Sequence, residues 1–577
     1  MELSEQSIHD VIHPTAAFAL STQGAGRGGS SESERLTWEE SLLNPKNRID
    51  SLDVIHQPLW KIDGCTAFGS QFYAVPLTNS PLTPLRIDLF IPEPATLSAK
   101  MKEILDVDVT FHTKDSSRIS HLGITRHLLR ILQHWSQTEA FPSGFPYAFP
   151  FGSRIVLSNL PLKVEDARIT VARAHHLERQ FLSLSTLRRL WDDGLQWPPA
   201  IDINTLEYQA QIHDSTCLVK IKGERYIFKA LTGTTKYMYH ELRQLLRIPA
   251  HQHVISWPTH LVTKTCSFGG KVAVVGFTLV YHSRGSLRDL LPFLRLHNLS
   301  SLADEARWSL QLASALLHIR ETTGIFYPDL RLDNIVLSDS GDAVMVDFEQ
   351  RGVWCEFAAP EINAIEYIRL LAVDTEIPVQ VQTRYASILS SLLPDWEDRY
   401  QGEDYEWPST GYNIPWECLD PAEQEACEVY MLGRVLWCIF EARSAPQRAA
   451  VWQSYRWEPL KEFPEYTRTP EPMRGLIDRC TKGRRPGLSR LVVREANKLV
   501  LREPREPGHL GQSMPQQIQE TARDWWKQEM DFSEKWLVER AARMRDGTWD
   551  RNYYGRPTLR QVHDEIRDFC TSNGVRV

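Results

Sequence analysis

The rhythm of apolar and polar positions changes near residue 200. Between about 50 and 195, short runs of clustered or alternating apolar residues (QFYAVPL, RIDLFIP, VDVTFH, SRIVLS, ARITVAR) are interleaved with RHLLRILQHW, whose apolar positions recur at helical spacing. The short runs predict strands and the longer one a helix, so residues 46–195 read as a mixed α/β region with its own core. Beyond 200 the order becomes strands (CLVKIKGERYIFKAL), a helix (KYMYHELRQLLRI), more strand (VAVVGFTLVYH) and then mostly helices. Strands followed by a helical block predict an α+β fold in two parts with a cleft between them. Near the far end, RDWWKQEMDFSEKWLVERAARM has helical periodicity with its tryptophans on one face, a pattern of packing.

Residues 1–45 lack such patterning. They contain STQGAGRGGSSESERL, rich in Gly, Ser and charge, which predicts an unstructured tail. Gly24, Gly26 and Gly29 fit G-x-G-x-x-G by letter, but with no strand before and no helix after they read as linker. A chain of 577 residues with 42% hydrophobic and 24% charged residues and a net charge of −8 is of ordinary globular composition. That balance points away from nucleic acid and anionic membrane as partners. Nine cysteines without a C-x-x-C pair argue against a disulfide framework and for a reduced, intracellular setting, cytoplasmic or nuclear. The start of the chain has no signal-peptide pattern, and no apolar run is long enough for a membrane span. His127 and His134 on the RHLLRILQHW helix, and the adjacent His175 and His176, read as packed or solvated histidines.

Candidate chemistry concentrates in GIFYPDLRLDNIVLSDSGDAVMVDFEQ, residues 324–350. Phosphoryl transfer needs a cation on the nucleotide phosphates, oxygen ligands for Mg²⁺ and a carboxylate to orient the attacking hydroxyl. Asp329 and Asn334 are separated by four residues, and Asp347 follows a turn, SDSGDA, between the apolar runs NIVL and VMV. A loop, a hairpin and a second loop can bring the three to one place.

In these features the chain resembles the protein-kinase-like superfamily, in a divergent, fungal-looking form, over roughly residues 200–570. YPDLRLDN is similar to the H-R-D-L-K-x-x-N catalytic loop, DFE to D-F-G, and YIFK to V-A-I-K. Downstream, AAPEI is similar to A-P-E, EVYMLGRVLWCIFE to the buried D-V-x-x-x-G helix with Glu428 for Asp, and RPTLRQVHDEI to the R-P-T segment. The resemblance implies a β-rich N-lobe at about 200–282 and a helical C-lobe at about 283–570, within a domain spanning 196–570. It implies Asp329 as catalytic base, Arg331 near the γ-phosphate, Lys229 on the α- and β-phosphates with Glu241 as its ion-pair partner, and Asn334 and Asp347 on Mg²⁺. ATP and Mg²⁺ are the implied cofactors, a Ser or Thr hydroxyl of a protein the implied acceptor, and an Arg556–Glu361 pair the implied brace of the C-lobe.

The chain also departs from that pattern. EYQAQIHDSTCLVKI, where a glycine-rich loop is expected, has no glycine. Tyr327-Pro328 replaces His-Arg, which removes the arginine that reads an activation-loop phosphate. Only thirteen residues separate Asp347 from Glu361. Two insertions, 362–427 and 482–555, lengthen the C-lobe. The first, with its aromatic PDWEDRYQGEDYEWPSTGYNIPWE, reads as self-packed or as a docking surface for a protein partner or substrate. The second begins KGRRPGLSRLVVREANKLVLREPR, eight Lys/Arg against two Glu, a solvated face or a site for an acidic partner. Two alternatives stay open: a pseudokinase scaffold, suggested by the missing glycines, and a small-molecule kinase of the choline or aminoglycoside type, suggested by DFE. The latter predicts an acidic pocket near Asp329 that uses Glu349 or Glu356.

Overall fold

Strand-forming runs near the N-terminus build a sheet around one amphipathic helix. The structure, a computed structural model, describes residues 11–18, 55–65, 71–77, 87–90, 123–161, 163–191, 194–213, 215–267, 269–349, 351–405, 411–447, 458, 461–495, 498–503 and 514–575. Strands β1 (Trp60–Cys65), β2 (Gln71–Pro76), β3 (Ile87–Phe90), β4 (Arg154–Leu157) and β5 (Ile169–Ala172) pair in sequence order, antiparallel except β3 with β4. Helix α1 (Gly123–Ser136) buries Leu128, Ile131, Leu132 and Trp135 against Trp60, Ile62, Phe72, Ile155 and Leu157, which form a separate core. His127 on this helix bonds the Pro161 carbonyl at 2.8 Å, and burial lowers its pKa, so it is a packed histidine. VDVTFH and the Gly24–Gly29 stretch lie outside the described residues.

A second, larger core takes over at Ala174. Ala174, Leu177, Phe181, Leu187 and Trp191, on and around α2 (His175–Gln180) and α3 (Leu184–Leu190), belong to it rather than to the first sheet. The apolar rhythm places residues 174–195 in the N-terminal region, but those from Ala174 to Trp191 pack on the part of the chain beyond 200. Leu182 N bonds the Tyr239 hydroxyl at 2.7 Å, and Trp191 Nε1 bonds the Tyr405 hydroxyl at 2.9 Å. The second sheet has the order β6 (Ala200–Asp202), β10 (His260–Thr265), β11 (Val272–Val280), β9 (Glu224–Lys229), β8 (Thr216–Ile221), β7 (Glu207–His213). Residues 273–279 of β11 are all buried, the pattern of a central strand covered on both faces. Helix α4 (Thr235–Arg247) follows β9 and is buried along nearly its whole length.

Helices α5 (Leu287–Leu296) and α6 (Leu302–Thr323) open the helical block, and the short hairpin β12 (Ile335–Leu337) and β13 (Ala343–Met345) comes next. Then come α7 (Pro360–Val373), α8 (Val379–Leu392), α9 (Trp396–Gln401), α10 (Ile414–Glu417), α11 (Pro421–Glu441) and α12 (Glu471–Cys480). The hairpin β14 (Val492–Glu495) and β15 (Lys498–Leu501), α13 (Met514–Arg545) and α14 (Leu559–Ser572) complete it. Helix α11 is the centre of the block: Asp420 and Glu423 cap it reciprocally, Pro421 starts it, and almost all of its residues are buried. Gly433 permits its close approach to α12, since a Cβ there would stand 2.7 Å from Cys480 Cβ.

Part of the expected tail is folded. Val11, Ala16 and Ala17 are buried, Val11 O accepts from Trp526 Nε1 at 2.9 Å, and Phe18 packs edge-on to Tyr385. A few apolar residues suffice here because α13, with Trp526 and Trp536 buried as its periodicity predicts, offers a groove already formed. The basic stretch from 482 is engaged internally: Arg484 pairs with Asp478 at 2.8 Å, Arg485 with Glu529 at 2.7 Å, and Arg502 with Glu462. Among the described residues no helix is long and apolar enough to cross a membrane.

Candidate functional site

The site forms where β9, α4 and the two loops flanking the β12–β13 hairpin meet. Strand β9 ends at Lys229, whose backbone pairs with Phe277 of β11. Gly276 stands beside it, and a Cβ there would collide with the Lys229 carbonyl oxygen, so the spacing of these strands at the lysine depends on glycine. Lys229 Nζ lies 2.6 Å from Glu241 Oε2 of α4, 2.5 Å from Asp347 Oδ1 and 3.1 Å from Glu349 Oε1. Glu349 also pairs with Arg351. The expected Lys229–Glu241 pair is therefore present.

Buried ammonium groups ordinarily lose their proton, but three carboxylates outweigh desolvation and hold Lys229 charged, its pKa well above the usual lysine range. Glu241 responds in the opposite sense: burial, only partly offset by Lys229, pushes its carboxyl up to about 8. Asp347 is held below the ordinary range, because Lys229 overcomes the effect of burial. Glu241, Asp347 and Glu349 are close enough together to hold a cation, and the Lys229 ammonium already sits among them.

Asp347 adopts φ 69°, a left-handed conformation uncommon for a side chain other than Asn or Gly. Tyr327 fixes it there. The Tyr327 hydroxyl donates to Val346 O and lies 2.9 Å from Asp347 O, its ring meets Phe348 edge-on, and its own N–H donates to Glu428 Oε1 at 2.8 Å. Phe348 N in turn donates to Glu241 Oε1 at 2.9 Å. Glu428 of α11 thus connects through Tyr327, Asp347 and Phe348 to Glu241 and Lys229.

On the first loop Asn334 Nδ2 donates to Asp329 Oδ2 at 2.9 Å and to Asp329 O at 3.0 Å, while Arg331 Nε lies 3.1 Å from the same carboxylate. Val346 N donates to Asn334 O at 2.9 Å, which ties this loop to the one carrying Asp347. Burial raises the Asp329 carboxyl to about 6, against the pull of Arg331. The Arg331 guanidinium stacks over Trp354 at 4.8 Å. Asn334 uses its amide nitrogen in these bonds, so its carbonyl oxygen is not committed to them.

All six residues singled out from the sequence (Lys229, Glu241, Asp329, Arg331, Asn334, Asp347) lie in this connected network. Arg556 and Glu361 form a buried two-bond pair at 2.9 and 3.0 Å. Glu349, read from the sequence as a glycine replacement and as a candidate of an acidic pocket, is a third partner of Lys229. Neither Tyr327 nor Gly276 carries a local motif that points to its role in the site. At the top of the site β7 and β8 pair with His213 opposite Thr216, so the turn between them is two residues long, Asp214 lying outside the described residues. The first insertion packs on α4: Lys236 Nζ reaches three of its carbonyls, and Tyr405 and Tyr412 face the same helix. No protein-family model matches the chain, and no curated protein is similar enough to count as a match.

Proposed function

We propose that the chain is an ATP- and Mg²⁺-dependent phosphotransferase of the two-lobed protein-kinase-like type, acting on a Ser or Thr hydroxyl of a protein. The second sheet with α4 is its N-lobe and the helical block its C-lobe. The observation that carries this reading is the network in which buried Lys229 and Glu241 meet half-buried Asp347, adjoining a loop on which Asp329 and Asn334 face each other. An ammonium crowded by several carboxyl groups costs stability, and a polyanion with its cation is a ligand that matches them. Lys229 would bind phosphate oxygens, with Glu241 holding the side chain extended. The Asn334 carbonyl and the Asp347 carboxylate would hold Mg²⁺, which when bound supplies charge neutralisation on the phosphates. Asp329, ionised above about pH 6, would accept the hydrogen bond of the attacking hydroxyl, and Arg331 holds that carboxylate in place.

A second reading, a scaffold that binds without turnover, draws support from Glu349, which adds a competitor for the Lys229 ammonium, and from the glycine-free turn between β7 and β8. A small-molecule kinase is less well supported: Glu349 is already engaged by Lys229 and Arg351, and Arg399, Tyr400, Gly402, Tyr405 and Tyr412 of the first insertion pack on α4. Incubation with Mg·ATP and generic protein acceptors tests the proposal. ADP release or labelling is expected, and Asp329→Asn should slow it by about 10²–10⁴-fold while leaving ATP affinity within a few-fold. Equal rates in the two proteins would refute the assignment of the base.

A further inference from the structure

Resting on the nucleotide-site reading, we propose that Lys236 is a positioning residue that ties α4 to residues 399–402 of the first insertion, so that the insertion holds Glu241 on Lys229. Lys236 lies in the first turn of α4 and is only 1% exposed. Its Nζ donates to Arg399 O at 2.7 Å, Gly402 O at 2.5 Å and Tyr400 O at 3.3 Å, which uses all three ammonium hydrogens on backbone carbonyls. Around this tie Tyr405 packs on Tyr239 with ring centroids 5.6 Å apart, and Tyr412 lies 5.6 Å from Tyr237 and 5.7 Å from His240. Gln180 Nε2 donates to Glu403 at 2.7 Å, which binds the same segment to α2. Positions 236, 239 and 240 share one face of α4, and Tyr237, which also meets the insertion, lies one turn before Glu241 on the adjoining face.

The contacts fall where another device is missing. Thirteen residues between Asp347 and Glu361 leave little chain for a phosphate-ordered loop, and Pro328 offers no charge to read such a phosphate. With no switch of that kind, α4 is positioned from within the chain by the insertion.

Hydrogen–deuterium exchange on the full chain tests this, with Lys236→Met, which keeps the apolar stem and removes the ammonium. Amides of α4 should exchange at least about tenfold faster while those of α6 stay unchanged, the size expected for losing a charged set of hydrogen bonds. Affinity for Mg·ATP should fall several-fold in the same variant. If Lys236→Met does not fold, Tyr412→Leu, which removes the ring that packs on Tyr237 and His240, should give a smaller acceleration that includes α4 and spares α6. Unchanged α4 exchange in a folded variant, or equal acceleration of α4 and α6, overturns the proposal. Absence of Mg·ATP binding to the wild-type protein would instead overturn the nucleotide reading, and the exchange result would still decide the role of Lys236.

Discussion

Asp329 is half-buried on the side of the site where a hydroxyl would be activated, and its chemistry is set by that partial desolvation. Its folded pKa, about 6, lies above the value near 3.9 expected in an unfolded chain. Between those values the folded state binds more protons than the unfolded one, so this group's contribution to stability falls as pH rises from about 4 to about 6 and stays lower above that. Asp329→Asn, which cannot ionise, should therefore be more stable than the wild type at pH 8 by about 1–3 kcal/mol and gain little at pH 4. Thermal unfolding at the two pH values measures this, and an equal difference at both would contradict the burial argument. The residues legible in the sequence (Lys229, Glu241, Asp329, Asn334, Asp347) each sit in a short local motif. The pairing of Glu349 with Lys229 and the roles of Tyr327 and Lys236 are not legible, because they depend on partners distant in the chain, such as Arg399 for Lys236.

Strands and helices are easier to read from the chain than their contacts. Alternation in TCLVKI gives β8 its inward Cys217, Val219 and Ile221, and the unbroken apolar run VAVVGFTLV marks β11 as central. Periodicity does not show why β11 carries a glycine. Gly276 lets the backbone of Lys229 lie close, so Gly276→Ala should cost about 1–3 kcal/mol through overpacking. It should also weaken Mg·ATP binding more than a surface substitution of equal stability cost, by displacing the lysine. Thermal unfolding paired with a Mg·ATP titration separates the two effects, and a loss of stability without a loss of affinity would break the link between strand spacing and the site. The order of the N-terminal segment escapes periodicity for a related reason: VIHPTAAF, residues 11–18, is too short to show a period of its own, and it is held by Trp526, more than five hundred residues away in the chain.

At the scale of the molecule, two cores share one chain. The first sheet is joined to the second by Asp63, buried and accepting from the Tyr208 hydroxyl and from Gln211 N. The change of apolar rhythm near 200 predicts this division, and the structure places the change of core near Ala174 because α2 and α3 pack on α4 and on the first insertion. Such cross-chain packing leaves no mark in local periodicity. The larger core gathers the second sheet, the helical block, the folded N-terminal segment and the insertion around the Lys229–Asp347 network. The direct measurement of whether that network is a nucleotide site is thermal unfolding of the full chain with ATP, with and without Mg²⁺, beside Asp347→Asn. At ligand near 100 times its dissociation constant, the wild type should gain about 2.7 kcal/mol only when Mg²⁺ is present, and the variant should not. No shift at saturating millimolar Mg·ATP, or the same shift in Asp347→Asn, would contradict it.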